Sequence, residues 1–520
     1  MARKWWTLLA VCLATFMLLL DITIVNVALP DIAAELDTSF SDLQWVIDAY
    51  ALMLAALLLT AGSLADLLGR RRVFAFGLAS FTFASVLCAL APGALVLILA
   101  RGAQGIGGAA MFATSLALLA QEFQGRERGT AFGIWGATTG AAVAIGPLVG
   151  GALTSAFGWP SIFYLNVPIG IATLAITLRK LPESRDEDAG GIDWAGLVTF
   201  SAALFLLVFA LIRGNEEGWG SAVIVAMLAA SGLLLALFIA IERRIEHPMF
   251  DLTLFANHTF VGASIAAFAL SASMFAMFLY ITLYVQTILG FDPLETGLRF
   301  LPITLLSFVA AAVSGKLTAR LPARGLLGGG LFLVGIGLLL MRGVNAGSSW
   351  TALLLGFIIA GIGIGTINPS IANAAIGVVA PARSGMASGI SSTFRQVGIA
   401  TGIAGLGAIF QSQITQRLAT ALAGTPGAGR TDQIAHAVSA GAAPKVIAAT
   451  PPAGRPRLEQ AIHVAFTAAL NDILLVGAVV AFAGGLLALA LVRGSDFIGH
   501  GPPPPPPAPQ PAEAVAAAGP

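Results

Sequence analysis

The sequence predicts an all-α integral membrane protein with fourteen transmembrane helices. Of its 520 residues, 57% are hydrophobic and only 10% are charged, and the mean hydropathy is +0.89. A soluble domain carries about a quarter charged residues, so this chain lacks the polar surface of a soluble globular enzyme. Because a spanning helix takes ~20 apolar residues, the hydrophobic content suffices for roughly fourteen spans.

The apolar stretches are separated by charged or Gly- and Pro-rich breaks. They are too long and too continuous for barrel strands, and backbone groups cannot stay unpaired in hydrocarbon, so the spans are predicted as α-helices. The first stretch continues past Asp21 without a small-residue cleavage site, which favours an uncleaved span over a signal peptide. The predicted spans are 5–29, 43–63, 73–90, 94–120, 131–153, 161–178, 194–212, 222–241, 261–289, 297–317, 326–341, 353–371, 385–409 and 473–492.

The basic residues predict the orientation of the chain. If the N-terminus is cytoplasmic, the breaks on that side hold 17 of the 27 Lys and Arg residues, and the breaks on the other side hold eight. This distribution obeys the positive-inside rule. We therefore expect a multi-pass protein of the cytoplasmic membrane with both termini in the cytoplasm.

Two breaks indicate an internal repeat. Residues 62–72 and 315–324 each contain a Gly, a Leu two residues later and then basic residues, between two predicted spans. Halves related in this way are used by transporters for alternating access. Eight predicted spans separate the two breaks where six would suffice, so we interpret spans seven and eight as an inserted pair between two six-helix halves.

The predicted domains follow from this repeat. They are an N-terminal six-helix half at 1–180, an inserted helix pair with linkers at 181–250 and a C-terminal six-helix half at 251–493. The last half includes a long outer loop at 411–469, of which we expect about residues 411–463 to be unstructured because this stretch lacks aromatic residues and is rich in Ala, Gly and Pro. The tail at 494–520 contains six consecutive prolines and predicts a disordered, cytoplasmic polyproline stalk.

Few ionisable residues lie within the predicted spans. Such a side chain costs at least ~2.5 to 3.5 kcal/mol at the bilayer centre on insertion scales, so it is expected to face a cavity or a partner. Asp21, Asp48 and Arg101 lie at similar depth in the outer half of spans one, two and four. The pattern predicts a proton-binding carboxylate with a cationic neighbour, with Asp48 as the fallback carrier. The alternative is a static buried ion pair that fixes helix packing.

The short break after span two predicts a conformational latch. Asp66 can meet the N-terminal dipole of the next helix or the neighbouring arginines, a contact that could form in one conformation and break in another. A plain topogenic charge cluster is the alternative. The predicted latch residues are Gly62, Asp66, Gly69, Arg70, Arg71 and Arg72.

Span five contains a Gly- and Pro-rich segment that predicts a helix bend. Proline removes a helix hydrogen bond, and glycines permit bending and close helix contact. The predicted bend residues are Gly146, Pro147, Gly150 and Gly151.

A substrate cavity is predicted from polar and aromatic residues in the spans. In span nine, Met277, Tyr280 and Tyr284 share one helix face, and aromatic and methionine surfaces suit flat, apolar, variable ligands. Ordinary helix packing is the alternative for this stripe. The full set assigned to the cavity is Asn26, Gln104, Met277, Tyr280, Tyr284 and Arg395.

These motifs together resemble the fourteen-helix drug:proton antiporter branch of the major facilitator superfamily. The resemblance covers about residues 5–492 and is carried by segments 21–30, 62–72, 101–105, 146–151, 163–170 and 394–398. It implies a proton-binding Asp in span one, a coupling Arg in span four, a latch in the second loop and an antiporter-type bend in span five. Leu67 stands where the family usually has a basic residue, so the latch is expected to rely on Arg70, Arg71 and Arg72.

The expected function is proton-coupled efflux of amphipathic organic compounds such as drugs, antibiotics and dyes. Proton-coupled uptake of a metabolite is the alternative, and the Gly-Pro segment of span five disfavours it. A membrane enzyme is disfavoured because the five histidines are scattered without metal-ligand spacing and no ATP-binding Walker loop occurs. We therefore expect a monomeric transporter with the proton as coupling ion, without metal or cofactor, and no nucleic-acid partner given a net charge of +1.

Overall fold

A computed structural model describes most of the chain, and every regular element in the described part is a helix. The expected tail beyond Phe497, and parts of the linkers on both sides of the inserted pair, lie outside the described residues. The described residues are 3–36, 38, 40–185, 193–245, 248, 250–318, 321–380, 383–424, 428–439 and 441–497.

The described residues of the first part of the chain fold into seven helices. Long Leu- and Ala-rich stretches favour helix, and Gly69, Gly93 and Gly158 stand at three of the breaks between them. Gly69 and Gly158 take the positive φ angles of 111° and 79° at two of these breaks. The helices are α1 (Arg3–Glu35), α2 (Phe40–Leu68), α3 (Arg70–Ala89), α4 (Ala94–Glu122), α5 (Gly125–Phe157), α6 (Pro160–Tyr164) and α7 (Asn166–Lys180).

The inserted pair forms two helices that pack against each other, α8 (Trp194–Glu217) and α9 (Ala222–Glu242). Asp193 and Ser221 cap their N-termini through side-chain hydrogen bonds to backbone N–H groups. α8 also packs against α2, whereas most of α9 is exposed and apolar. An exposed apolar helix of this kind fits a lipid environment.

The described residues of the last part of the chain form nine α-helices, two π-helical turns and several short 3-10 helices. The segment from His258 to Ile288 is one continuous rod in which the turns Ser271–Phe275 and Tyr284–Ile288 are π-helical. The helices are α10 (His258–Leu270), α11 (Ala276–Leu283), α12 (Pro293–Leu317), α13 (Ala323–Met341), α14 (Leu354–Gly377), α15 (Ser384–Ala421), α16 (Thr431–Ser439), α17 (Ala443–Ala449) and α18 (Arg455–Leu491).

Thirteen helical segments of the described chain are long and apolar enough to cross a membrane. This is a multi-pass membrane protein, although the number differs from the fourteen predicted spans. The difference concerns predicted span five, which lies within the 33 residues of α5 but has a described apolar stretch only from Leu148 to Phe157.

The most extensive contacts between the first and last parts of the bundle are those of α5 with α12 and of α2 with α15. Both pairs meet at glycines. A Cβ atom on Gly62 of α2 would lie 2.6 Å from the carbonyl oxygen of Gly385 of α15. A Cβ on Gly315 of α12 would lie 3.2 Å from the Cα of Gly133 of α5. The two breaks that resemble each other in sequence thus each place their first glycine at a close helix crossing.

The prediction of unstructured chain within the outer loop at 411–469 is wrong for the described residues. α15 continues to Ala421, α18 begins at Arg455, and α16 and α17 lie between them. Alanine is the strongest helix former, so a segment without aromatic residues can still be helical. α16 buries Ala435 and Val438 and packs against α15, and this burial replaces the missing aromatic core.

Candidate functional site

A buried polar cluster lies between α1, α4 and α7. The carboxylate of Asp21 is fully buried and forms an ion pair with the guanidinium of Arg101. Its other oxygen accepts hydrogen bonds from the amide nitrogen of Asn166, at 2.8 Å, and from that of Gln104, at 3.3 Å. Both carboxylate oxygens are therefore paired with donors from two other helices.

Arg101 is held from several sides. Its Nε donates to the carbonyl oxygen of Val46 at 3.0 Å, and its Nη1 donates to Oε1 of Gln104 at 2.7 Å. The guanidinium also lies 4.4 Å from the ring centroid of Tyr50, a cation-π geometry. The structure thus brings together Asp21 and Arg101, which the sequence predicts as a pair, and Gln104, which the sequence analysis assigns to the substrate cavity.

Two further members of this cluster were not assigned from the sequence, Ser85 and Asn166. The hydroxyl of Ser85 accepts hydrogen bonds from Gln104 at 2.7 Å and from Asn166 at 3.4 Å. Asn166 stands within segment 163–170 of the family resemblance, and its position as a polar residue in an apolar span was the signal that could have identified it. With these two residues and the carbonyl of Val46, the cluster links the five helices α1, α2, α3, α4 and α7 through hydrogen bonds.

Asp48 differs from Asp21 in its surroundings. It is half-buried on α2, whereas Asp21 is inaccessible to solvent. The hydrogen bonds that bind Asp21, Arg101, Gln104 and Asn166 to one another are formed without Asp48.

The predicted latch residue Asp66 connects the two parts of the bundle. Its Oδ1 accepts hydrogen bonds from Nε and Nη2 of Arg70 at 2.9 and 2.8 Å, and from the backbone N–H of Gly385 at 3.0 Å. Its Oδ2 accepts the backbone N–H of Met386 at 2.7 Å. Because α15 begins at Ser384, Asp66 binds the free N–H groups and the positive dipole end of that helix.

The three arginines of the latch take different partners. Arg70 is buried against Asp66, but the other two interact with Glu183, after α7. The backbone N–H of Arg71 donates to Oε1 of Glu183 at 3.1 Å, and Nε of Arg72 lies 3.6 Å from Oε2. A Cβ on Gly69 would lie 2.6 Å from this carboxylate, so glycine is needed there for space as well as for φ. Contact with Asp66 is therefore made by Arg70 alone among the three arginines.

Glycines of span five contact α1 close to Asp21. A Cβ on Gly146 would lie 2.7 Å from the Cβ of Thr23, and a Cβ on Gly150 would lie 2.8 Å from Cγ1 of Ile24. A Cβ on Gly151 would meet nothing within 4 Å. α5 runs as one helix through Pro147, whose side chain lies outside the described ones. The bend itself stays a prediction, and the observed role of Gly146 and Gly150 is close packing.

A cleft lies between α5 and the last part of the chain. It holds about 350 Å³ of atom-free space, part of it open to the surroundings. Its walls combine aromatic and aliphatic side chains with hydroxyl and amide groups. The lining residues are Thr139, Gly140, Phe275, Phe278, Ile303, Thr304, Ser307, Ile364 and Asn368.

The predicted stripe of span nine faces the packed core rather than this cleft. Met277, Tyr280 and Tyr284 are buried, and the ring centroids of Tyr280 and Phe410 are 5.1 Å apart. The hydroxyl of Tyr280 donates to the carbonyl oxygen of Ile403 at 2.8 Å. The stripe packs against α15 and α18 in this conformation. The cleft is lined instead by Phe275 and Phe278, on another face of the same segment.

Arg395 is the assigned cavity residue that the structure connects to the cleft. Its Nη1 donates to the amide oxygen of Asn368 at 2.8 Å, and Asn368 lines the cleft. Asn26 lies on α1, five residues after Asp21, and its side chain lies outside the described ones.

The sequence profile described as Major Facilitator Superfamily matches residues 11–403. The chain belongs to this superfamily. The match includes Asp21, Asp66, Arg101, Asn166 and Arg395, so the cluster, the latch and the polar edge of the cleft all lie within it.

Named relatives and one solved structure agree with this membership. The chain is 38% identical to the multidrug resistance protein Stp of Mycobacterium tuberculosis, over 79% of this chain and 77% of that protein. It is 32% identical to the multidrug efflux pump LfrA of Mycolicibacterium smegmatis, over 95% of this chain and 96% of the relative. The crystal structure of the human organic anion transporter MFSD10 matches with a TM-score of 0.60 and 16% identity, covering 92% of this chain and all of that one. At this identity the structural match establishes the fold alone.

Proposed function

We propose that this superfamily member is a proton-coupled exporter of amphipathic organic compounds across the cytoplasmic membrane. The observation that carries the proposal is the fully buried Asp21, paired with Arg101 inside the helix bundle. An ionisable residue in a span is a functional-site hypothesis by default, because burying its charge in the membrane is costly and such residues occur mainly at functional sites. The relatives named as multidrug resistance and efflux proteins support the direction and the kind of substrate.

Proton exchange at Asp21 supplies the coupling in this proposal. The ion pair with Arg101 requires the charged carboxylate, and a proton arriving from outside removes that charge. Arg101 then loses its counter-charge, the amides of Gln104 and Asn166 face a neutral and weaker acceptor, and these groups can rearrange. Because these residues lie on different helices, one protonation event changes the packing of α1, α4 and α7 together.

The Asp66 latch accounts for the change between conformations in this proposal. Its contact with α15 holds α2 and α15 together at the end of the bundle where α1 begins. Opening a path at that end requires this contact to break. We propose that the described conformation is closed at the cytoplasmic end and that the cycle breaks and reforms the Asp66 contact.

The remaining features of the predicted architecture belong to the same proposal. We infer fourteen spans, with α5 as the additional one, two six-helix halves with α8 and α9 inserted, both termini in the cytoplasm and a monomeric protein. The equivalent glycine crossings of α2 with α15 and of α5 with α12 support the two-half arrangement.

Dye efflux from a pump-deleted bacterial host tests the function. Cells that express the protein should expel an amphipathic dye faster than cells with the empty vector, and a proton uncoupler should abolish the difference. Energy-dependent accumulation of the dye would instead support the uptake alternative. Efflux that persists after uncoupling would contradict proton coupling.

A further inference from the structure

The cleft between α5 and the last part of the chain has an aromatic wall, and a buried cation lies next to one of its lining residues. Phe278 packs against Phe275 and Phe300, with ring centroids 6.1 and 5.7 Å apart, and the first two rings line the cleft. Asn368 lines it as well and accepts the hydrogen bond from Arg395. The aromatic rings therefore line the cleft, and the guanidinium of Arg395 lies behind its wall, one hydrogen bond away through Asn368.

The charge of Arg395 has no acidic partner in the part of the chain that the structure describes. Its side chain is 7% exposed, and its hydrogen-bond acceptor is a neutral amide. The buried acids of the bundle interior are engaged elsewhere, Asp21 with Arg101 and Asp66 with Arg70. Among the described residues, those that line the cleft include no acid. A buried charge without a partner is costly, so a cation at this place indicates a ligand that brings the opposite charge.

We propose that the cleft binds planar aromatic compounds that carry a negative charge. The ring system packs against Phe275 and Phe278, and a carboxylate or phenolate oxygen of the compound pairs with Arg395. Guanidinium groups bind carboxylates through charge-assisted hydrogen bonds of defined geometry. This inference rests on the proposed function and specifies the class of compound that is exported.

Two dyes with one ring system and opposite charge test the inference. Fluorescein and rhodamine 123 share a tricyclic xanthene, but at neutral pH the first is an anion and the second a cation. Their dissociation constants are measured by fluorescence anisotropy with the purified full-length protein in phosphatidylcholine nanodiscs, with empty nanodiscs as background. We expect the wild-type protein to bind fluorescein at least tenfold more tightly than rhodamine 123.

Variants at the cleft identify the source of this preference. Arg395→Gln should remove it, reducing the affinity ratio at least tenfold, whereas Arg395→Lys should keep most of it because the charge remains. Asn368→Asp places a carboxylate against Arg395 and should also abolish the preference. Arg342→Gln is the matched control, since Arg342 is exposed at the end of α13 and its loss should leave the ratio unchanged.

Equal affinity of the wild-type protein for both dyes, or tighter binding of rhodamine 123, overturns the inference. An unchanged ratio in folded Arg395→Gln also overturns it. If that variant does not fold, an unchanged ratio in Asn368→Asp has the same consequence. The binding ratio is independent of transport, so binding with the expected preference but no export from cells would contradict the proposed function and not the assignment of the cleft.

Discussion

The backbone N–H of Met386 donates a 2.7 Å hydrogen bond to the carboxylate of Asp66, a residue 320 positions earlier in the chain. Gly385 makes the same kind of contact at 3.0 Å. A side chain of α2 thus satisfies the first N–H groups of α15, while its charge is balanced by Arg70. One carboxylate connects the first and last parts of the helix bundle.

Asp66→Asn should leave membrane insertion near normal but reduce export at least tenfold. The substitution removes the charge that pairs with Arg70 and with the N-terminal dipole of α15. Hydrogen bonds to charged groups contribute ~1.5–3 kcal/mol each, so the closed conformation should be weakened by more than a factor of ten. The measurement is dye efflux normalised to the amount of protein in the membrane.

Asp432→Asn is the control for this prediction, because Asp432 is exposed on α16. It should export at the wild-type rate. Wild-type efflux in Asp66→Asn would show that the contact with α15 is dispensable and that the charge cluster serves only orientation.

Asp21→Asn should keep substrate binding and lose uphill export. Asparagine preserves the size of the side chain but cannot exchange a proton, and it leaves Arg101 without its counter-charge. In proteoliposomes, substrate-induced proton release measured with a pH-sensitive dye should disappear, whereas the dissociation constant of the substrate should change less than about threefold.

Asp48→Asn distinguishes the two candidate proton carriers. Asp48 is half-buried and Asp21 is fully buried, so Asp48→Asn should retain coupled export. If Asp21→Asn still pumps uphill with the wild-type pH dependence, and Asp48→Asn does not, the assignment of the carrier is reversed.

The sequence was sufficient to predict the pairing of Asp21 with Arg101, because both are ionisable residues at similar depth in apolar spans. It was not sufficient to find Ser85 and Asn166 as their neighbours. Serine and asparagine are common enough in spans that only the helix arrangement selects these two. The latch illustrates the same limit, since the sequence identified Asp66 but the partner helix, α15, is more than 300 residues away.

Gly146→Ala and Gly150→Ala should destabilise the protein, whereas Gly151→Ala should not. The added methyl groups would meet α1 at 2.7 Å from Thr23 and 2.8 Å from Ile24, but a methyl group on Gly151 meets nothing within 4 Å. Overpacking of this kind typically costs ~1–3 kcal/mol. The midpoint of thermal unfolding of the detergent-solubilised protein, followed by tryptophan fluorescence, should fall for the first two variants only.

A fall in the midpoint for Gly151→Ala of equal size would mean that loss of helix flexibility, and not contact with α1, is responsible. That result would favour the bend predicted from the sequence over the close packing seen in the structure.

Tyr280→Phe should lower stability more than Tyr284→Phe. The hydroxyl of Tyr280 donates to the carbonyl of Ile403, so its removal loses a hydrogen bond worth about 1 kcal/mol. The buried hydroxyl of Tyr284 makes no hydrogen bond within the described residues, so its removal costs little or is favourable. Thermal unfolding of the two variants, measured side by side, checks the order.

These tyrosines also show why the surroundings of the span-nine stripe were harder to predict than the pairing of Asp21 with Arg101. Met277, Tyr280 and Tyr284 share a face by helical spacing, and the sequence alone leaves that face open to a cavity or to packing. Two π-helical turns, at Ser271–Phe275 and Tyr284–Ile288, change the register of the rod around them. The neighbours of each face, α15 and α18 on one side and the cleft on the other, follow only from the tertiary arrangement.

The length of α15 and α18 has a practical consequence for imaging this protein. At ~1.5 Å per residue, helices of 38 and 37 residues are about 55 Å long, whereas the hydrocarbon layer is ~30 Å thick. Their ends, with α16 and α17 between them, should therefore project beyond a detergent micelle or nanodisc. Small membrane proteins are difficult to align in electron micrographs because most of their mass is hidden in lipid. A binder raised against this projecting helical region would supply the asymmetric landmark that such particles need, on the opposite side from the Asp66 latch.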